Sequence, residues 1–350
     1  MVLPDHPRIL LIRLDRLGDV VLSTPAIAAV RAAYPDAHLA MMVRPECLDA
    51  VEGLPGVNEV ILYDRDGAHH SVVSTIRFAR ALRRQRFDAA LVLHPTNRSH
   101  WLAFLAGIPR RIGWHRKCGW LLTCRLPHVK HEGAKHESDY TLDVVRALGI
   151  EPAERRLRFP QHPPAAERVE RWLAQRGAAP NARLIAIHPS ASCISKRWMP
   201  EHFAAVADAL IEEGYQVVVI AGPADQAFGE AMIRACRKPV LDSCGAFSIA
   251  ELGELLRRCE LLISNDSGPV HVAVAVGTPV VDIFGRNQAG LSPLRWGPLG
   301  PRDTVIHKEV GCPVCLAHNC DIAFKCLTEI SVPEVLSAAQ TILTSPSVRS

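Results

Sequence analysis

The chain has no unbroken apolar run approaching the roughly 20 residues that a membrane-spanning helix needs, so it is not expected to cross a bilayer. It is also short of net charge. Forty Lys and Arg against 36 Asp and Glu leave +4, too mild to mark a nucleic-acid-binding protein but compatible with a local patch facing an anionic partner. No leader is evident: in MVLPDHPRILLIRL the apolar run is short, is interrupted by Arg13 and is followed by no small-residue cleavage site. It reads as a first strand. A cytoplasmic protein is therefore expected, with its eleven cysteines mostly thiols. No GxGxxG follows the first strand, which counts against a nicotinamide dehydrogenase, and no GxxxxGK[ST] exists for a P-loop kinase.

What is present is 350 residues, 48% of them hydrophobic, enough for two domains of ordinary size. The N-terminal half repeats one theme. Apolar strand-like runs at Arg8 to Leu14, His38 to Val43, Asn58 to Leu62 and Asp88 to Leu93 alternate with helical patterns at Val20 to Tyr34, Pro45 to Gly53 and Val73 to Gln85, which implies parallel βαβ units. The breaker cluster Phe159-Pro160-Gln161-His162-Pro163-Pro164, a helical Ala165 to Gln175 and a loop-like Gly177 to Asn181 mark a hinge. The theme then restarts with strands at Leu184 to His188, Gln216 to Ala221, Leu261 to Ser264 and Pro279 to Phe284. Helices follow at Glu201 to Glu213, Gln226 to Cys236, Ile249 to Arg257 and Pro269 to Val276, with Ser248 and Ser267 as caps of the last two. Val332 to Leu343 reads as a terminal helix and Thr344 to Ser350 as a frayed tail. The expected architecture is α/β: a Rossmann-like domain over 1–160, a linker over 161–181, a second Rossmann-like domain over 182–330, and a helix and tail over 331–350. The cleft between two such domains is the default ligand site.

Three stretches could carry chemistry. In RILLIRLDRLGDVVLST (Arg8 to Thr24) a buried strand turns through Gly18 and delivers Asp19 before the next helix, at the carboxyl end of a parallel strand where open α/β sheets bind ligands. In LIAIHPSASCISKRWMP (Leu184 to Pro200) a strand ends at His188, and the hydroxyls of Ser190, Ser192 and Ser195 lead to Lys196, Arg197 and Trp198. That set suits a phosphate-bearing ligand as well as it suits an ordinary polar loop. In ELLISNDSGPVHVAVAVGTPVVDIFG (Glu260 to Gly285), Asn265-Asp266-Ser267-Gly268-Pro269 forms a turn with proline placed for the first helical position. His271 follows in the first helical turn, within reach of the cleft.

Together Arg13, Gly18 and Asp19, the His188 to Pro200 segment and SNDSGPVHVAVAVGTPVVDIFG resemble the ADP-heptose:lipopolysaccharide heptosyltransferases, glycosyltransferase family 9, in order and over essentially the whole chain. The resemblance implies a GT-B fold with the acceptor on the N-terminal domain and the nucleotide sugar on the C-terminal one. It implies metal-independent, inverting transfer of heptose from ADP-heptose to the inner core on lipid A, with no catalytic cofactor, at the cytoplasmic surface of the inner membrane. Position by position, Asp19 matches the family's proposed general base and Lys196 its phosphate-contacting lysine, which would neutralise the departing ADP in place of a metal. Ser190, Ser192, Asp266, Ser267, Gly268 and His271 match the donor side, and Arg13 and Arg16 fall beside Asp19 on the acceptor side. Rival readings are a family relative moving another sugar or using a protein or other glycan acceptor, a nucleotide-sugar epimerase, and a catalytically silent nucleotide-sugar binder.

Other features invite weaker readings. Asp64-Arg65-Asp66 has the DxD pattern of metal-dependent glycosyltransferases but, followed by Gly67, reads as a turn. Cys312, Cys315, Cys320 and Cys326 crowd one loop with spacing that suits structural zinc or iron, as in many members of the resembled family; unliganded thiols are the alternative. Arg77, Arg80, Arg83, Arg84 and Arg86 form a basic run on one helix, followed by Arg110, Arg111, Arg116 and Lys117. The bland reading is a solvated face, and the sharper one is contact with a phosphorylated acceptor.

Overall fold

A computed structural model describes residues 3–312, 315 and 319–345. The chain divides into two units, Met1–Pro160 and Gln161–Ser350. The first holds strands β1 (Arg8–Ile12), β2 (His38–Val43), β3 (Glu59–Leu62), β4 (Ala89–Val92), β5 (Arg110–His115) and β6 (Cys124–Pro127) and helices α1 (Leu17–Val21), α2 (Thr24–Ala33), α3 (Val72–Arg84), α4 (Asn97–Leu105) and α5 (Glu137–Arg146). The second holds α6 (Pro163–Gln175), β7 (Leu184–His188), α7 (Pro200–Glu212), β8 (Gln216–Val219), α8 (Gln226–Ala235), β9 (Leu241–Asp242), α9 (Ile249–Arg258), β10 (Cys259–Asn265), α10 (Gly268–Val276), β11 (Val280–Phe284), α11 (Pro293–Trp296), β12 (Thr304–His307), α12 (Lys325–Thr328) and α13 (Val332–Thr344).

Each unit contains one six-stranded parallel sheet, ordered β3-β2-β1-β4-β5-β6 in the first and β12-β11-β10-β7-β8-β9 in the second. Both are the doubly wound order, with the direction of winding reversing between β1 and β4 and again between β7 and β10. The central strands explain themselves. Ile9 to Ile12 and Leu184 to Ile187 are fully shielded by helices on both faces, and only continuous aliphatic runs tolerate that. In the first unit Leu10, Ile12, Ala40, Met42 and Val92 pack on Ala79 and Leu82 of α3 and on Leu102 and Ala103 of α4. In the second, Ile185, Ile187, Ile263 and Ile283 pack on Phe203, Val206 and Leu210 of α7 and on Val335, Ala339 and Ile342 of α13.

Several expectations need correction. Gly18 is not in a turn: it lies inside α1, where its carbonyl accepts from Leu22 N at 2.9 Å, so the helix begins at Leu17 and Asp19 sits in its first turn. The helical pattern from Val20 to Tyr34 is two helices broken at Leu22-Ser23, and Pro45–Ala50 is a 3₁₀ rather than an α-helix. Strands β5, β6, β9 and β12 and helices α4 and α5 carry charged and small polar residues that break the apolar periodicity, and sequence patterning missed them. Within the stretch expected as a linker, α6 packs on α9, and His162 N donates to Glu254 Oε1 at 2.8 Å, so this helix belongs to the second unit. Ser248 caps α9 in a reciprocal capping box with Glu251. Ser267 occupies the N-cap position of α10 but its side chain caps nothing. Of the expected tail, 346–350 lie outside the described residues. No described helix is long and apolar enough to cross a membrane.

Candidate functional site

In the first unit the chain leaves β1 directly into a cluster of charge. Arg13, fully buried, sends Nε to Asp15 Oδ2 at 2.9 Å and Nη2 to Asp19 Oδ1 at 2.7 Å and Glu137 Oε1 at 3.2 Å. Lys130 Nζ reaches the same Glu137 oxygen at 2.6 Å and lies over the rings of Trp114 and Tyr140. His94, just beyond β4, places Nδ1 3.1 Å from Asp15 Oδ2. β1 and β4 flank the switch point, so these groups converge where a doubly wound sheet leaves a crevice at its carboxyl edge. Burial, with Arg13 and Lys130 nearby, holds His94 well below the usual imidazole range and therefore neutral. Three carboxylates then face two cations, so one negative charge is in excess.

Asp19 is the carboxylate placed to shed it. Its side chain is 22% exposed against 1% for Glu137, so it alone of the two meets whatever enters from solvent. Burial raises its affinity for a proton, Arg13 opposes this, and the charges of Asp15 and Glu137 reinforce it; the net direction is upward. A helix start ordinarily makes a carboxylate a weaker base. Here burial and like charge outweigh that. Arg16 is exposed and Gly18 buried in α1.

In the second unit the corresponding place is the carboxyl edge of β7 and β10. Lys196 Nζ lies 2.6 Å from Asp266 Oδ2 and 3.3 Å from the Asp266 carbonyl, and Arg286 Nη2 lies 3.4 Å from the same carboxylate oxygen. Asp282 on β11 is fully buried with neither oxygen hydrogen-bonded; burial, then repulsion from Asp266, pushes it well above the usual carboxylate range. Lys196 and Arg286 both contact the single carboxylate of Asp266, so at contact distance cations outnumber carboxylates. Arg286 Nε is itself buried without a partner, a donor that an anionic ligand would satisfy.

The loop that carries Lys196 is tied to its surroundings by hydrogen bonds. Asn265 Nδ2 donates to the Pro189 carbonyl at 2.7 Å and its Oδ1 accepts from Trp198 N at 3.0 Å, tying the loop that carries Lys196 to the end of β10. The loop comes so close to β11 that a Cβ on Gly285 would lie 2.5 Å from the Ser195 carbonyl oxygen, which only glycine permits. His188, buried, lies 2.8 Å from Ser190 Oγ through Nε2 and 3.0 Å from Ser267 Oγ through Nδ1, and burial lowers its pKa to about 4.

The expected donor-side residues differ in exposure. The Ser190 hydroxyl is fully buried and hydrogen-bonded to His188 Nε2. His271 is buried in the first turn of α10 among Val270, Val272 and Ala273, not exposed to a cleft. Ser192 is exposed and Ser267 and Gly268 half-buried at the start of α10. The Asp64 carboxylate accepts from Gly67 N and Ala68 N and closes a turn, while Asp66 pairs with Arg44. Cys312, Cys315, Cys320 and Cys326 are half-buried free thiols, and among the described residues no three His, Cys, Asp or Glu side chains gather closely enough to hold a metal.

Sequence reasoning missed Glu137, Lys130 and His94 in the first unit and Arg286 and Asp282 in the second. Glu137, at the start of α5, and Lys130, in a short 3₁₀ turn, lie 124 and 117 residues from Arg13, and no local pattern announces them. Arg286 had a signal: a cation directly after the glycine that ends a parallel strand.

Comparison with known proteins gives the chain's family. Residues 75–324 match the family described as Glycosyltransferase family 9 (heptosyltransferase). Lipopolysaccharide heptosyltransferase 3 of Escherichia coli K12 is 27% identical over 338 residues, covering 93% of this chain and 95% of that protein. Among solved structures, a family 9 glycosyltransferase from Veillonella parvula superposes with a TM-score of 0.87 at 26% identity over 98% of each chain. The E. coli ADP-heptose lps heptosyltransferase II gives 0.79 at 25% identity over 96% of this chain and 98% of that one. The two Rossmann-like units are those of a GT-B fold, and the chain belongs to glycosyltransferase family 9.

Proposed function

We propose that this glycosyltransferase moves heptose from ADP-heptose to the inner core of lipopolysaccharide, on a lipid A–Kdo acceptor, by an inverting, metal-independent displacement. The observation that carries the reading is the opposed excess charge of the two sites: a partly exposed carboxylate with a raised proton affinity at the β1/β4 edge, and two cations with an unpartnered N–H at the β7/β10 edge. Asp19 takes the proton from the acceptor hydroxyl as that oxygen bonds to the anomeric carbon. The bond from that carbon to the diphosphate oxygen breaks on the opposite face, and ADP departs with the electron pair. Lys196 and Arg286 neutralise the charge that accumulates on it, a role a metal fills elsewhere. Ser192, Ser267, Gly268 and the start of α10 line the donor side, with Asp266 holding Lys196 in place. Arg13 and Arg16 flank Asp19 on the acceptor side, and the N-terminal unit, 1–160, carries the acceptor.

The relatives named as lipopolysaccharide heptosyltransferases support this donor and acceptor. An acceptor of that kind places the work at the cytoplasmic face of the inner membrane. The four cysteines are our proposed structural site for zinc or iron on the strength of their sequence spacing alone; elemental analysis of purified protein showing no stoichiometric metal would remove it. The transfer reading is tested by incubating the protein with ADP-heptose and a panel of truncated lipid A acceptors, with mass analysis of products. One added heptose on a Kdo-bearing acceptor is expected. Turnover of donor without acceptor, or transfer to none of the panel, overturns the assignment.

A further inference from the structure

The chain's small net charge hides a strong polarisation. Between residues 67 and 131 there are twelve Lys and Arg and a single acid, Asp88, so the rest of the chain is net acidic. Asp88 is itself occupied by Arg8 N at 2.7 Å. The basic stretch contains α3, α4 and the short 3₁₀ turn Gly119–Leu121, which pack side by side: α3 on α4, and α4 on that turn.

The same elements expose apolar side chains that a charged surface has no reason to carry. On α3, Val72 and Val73 are 76% and 67% exposed, and Ile76 follows one turn on. On α4 and the 3₁₀ turn, Trp101, Phe104 and Trp120 form an exposed aromatic cluster. The Trp101 ring meets Phe104 and Trp120 edge-on, each at 5.9 Å, and Trp120 is 56% exposed. Arg111 lies over the Phe104 ring at 5.5 Å, and Arg125 Nη2 donates to the Trp120 carbonyl. Arg98, one turn before Trp101, donates to the His69 and His70 carbonyls and so pins the start of α4 to the loop that leads into α3. Arg77, Arg80, Arg83 and Arg84 are spread along α3, with Arg83 beside Gly107 at the end of α4.

Indole and phenyl rings set among arginines match the chemistry of a bilayer's interfacial layer, where amphipathic rings sit at headgroup depth and cations meet anionic headgroups. A polyanion such as nucleic acid would use the cations but leave Val72, Val73 and Ile76 without purpose; a second copy of the chain would bring like charge against like charge. We propose that the face formed by α3, α4 and the 3₁₀ turn at Gly119–Leu121 docks the protein on an anionic phospholipid bilayer, with Trp101, Phe104, Trp120, Val72 and Val73 entering the interface and Arg77, Arg80, Arg83 and Arg84 pairing with lipid phosphates. This surface needs neither the donor nor the acceptor assigned above.

The test is flotation of the full chain with vesicles of phosphatidylcholine alone and of phosphatidylcholine with phosphatidylglycerol. Binding is expected only to the second and is expected to weaken with salt. Combined Arg77→Glu, Arg80→Glu and Arg84→Glu should lower it by roughly a hundredfold or more, since each basic residue near the surface contributes severalfold. Combined Trp101→Ser, Phe104→Ser and Trp120→Ser should also abolish it. Should either variant misfold, brominated lipid answers in the unmodified protein: the exposed indoles are expected to be quenched, while buried Trp114 and Trp198 are not. Equal binding to both vesicle types, unchanged binding by both variants, concentration-dependent dimerisation lost in the aromatic variant, or tighter binding to a single-stranded oligonucleotide than to anionic vesicles would each overturn the proposal. Transfer to a delipidated, soluble acceptor should persist in the aromatic variant, which separates failure of docking from failure of the transferase reading.

Discussion

The two switch points of this molecule are built alike and charged oppositely. Both lie at the carboxyl ends of the central strands of the same doubly wound order, and both place a carboxylate against cations within 2.7 Å. At β1/β4 the third carboxylate, Glu137, leaves the cluster negative and raises Asp19. At β7/β10 the second cation, Arg286, tips the balance to positive, and burial raises the proton affinity of Asp282. One topology therefore supplies a proton acceptor in one place and an anion site in the other, and a single extra charged side chain decides which.

Removing the carboxylate should give the largest effect. Asp19→Asn keeps the shape and removes the base, so kcat should fall by roughly 10²–10⁴-fold, the usual worth of a positioned base, while donor affinity by calorimetry stays near wild type. Lys196→Ala should lower kcat by about 10²–10³-fold, in the range found for removing one charge-stabilising donor, and should also weaken ADP binding. The two variants thus separate the sites. If Asp19→Asn weakens ADP binding and Lys196→Ala does not, the division of labour is wrong.

The histidines sharpen the contrast through stability. His188 is buried with its folded pKa lowered from 6.5 to about 4, so between those values the unfolded chain takes up a proton that the folded one refuses. Its contribution is complete above about pH 6.5 and is lost as pH falls towards 4, amounting to about 3 kcal/mol over the window. His94 and His100 of the first unit are lowered too, so the whole protein's acid sensitivity is a sum. His188→Asn isolates one part. Urea melts at pH 7 and pH 4.5 should show a smaller loss in the variant than in wild type, and an equal loss would assign the acid sensitivity elsewhere.

How much of this could be read from the sequence follows from how local each feature is. Strands β2 and β7 were bounded to the residue, because His38–Val43 and Leu184–His188 are apolar runs shielded on both faces. RRIGWH and CRLP gave no such signal, since β5 and β6 lie toward a sheet edge where charge is tolerated. Asp19, Lys196 and Asp266 were legible because each follows or ends a central strand. Glu137, Lys130 and Asp282 were not: their importance comes from what the fold brings near them. The bond from Ser190 to His188 was hidden for the same reason, since a hydroxyl in a phosphate-like loop gives no sign of its partner two residues away.

Glu137 offers the finest test of the charge argument. Its carboxylate, bound by Arg13 and Lys130, raises Asp19 through space without meeting solvent. Glu137→Gln removes that negative charge and preserves the shape, so the Asp19 proton affinity should drop. The acid limb of the kcat/KM profile, which falls as pH drops through the raised Asp19 pKa, should then move to lower pH by about one unit or less. Glu137→Asp, which keeps the charge, should leave the limb near its wild-type position. A purely structural role would lower kcat/KM by the same factor at every pH and leave the limb unmoved, and in that case the excess negative charge of the first site would not be what makes Asp19 a base.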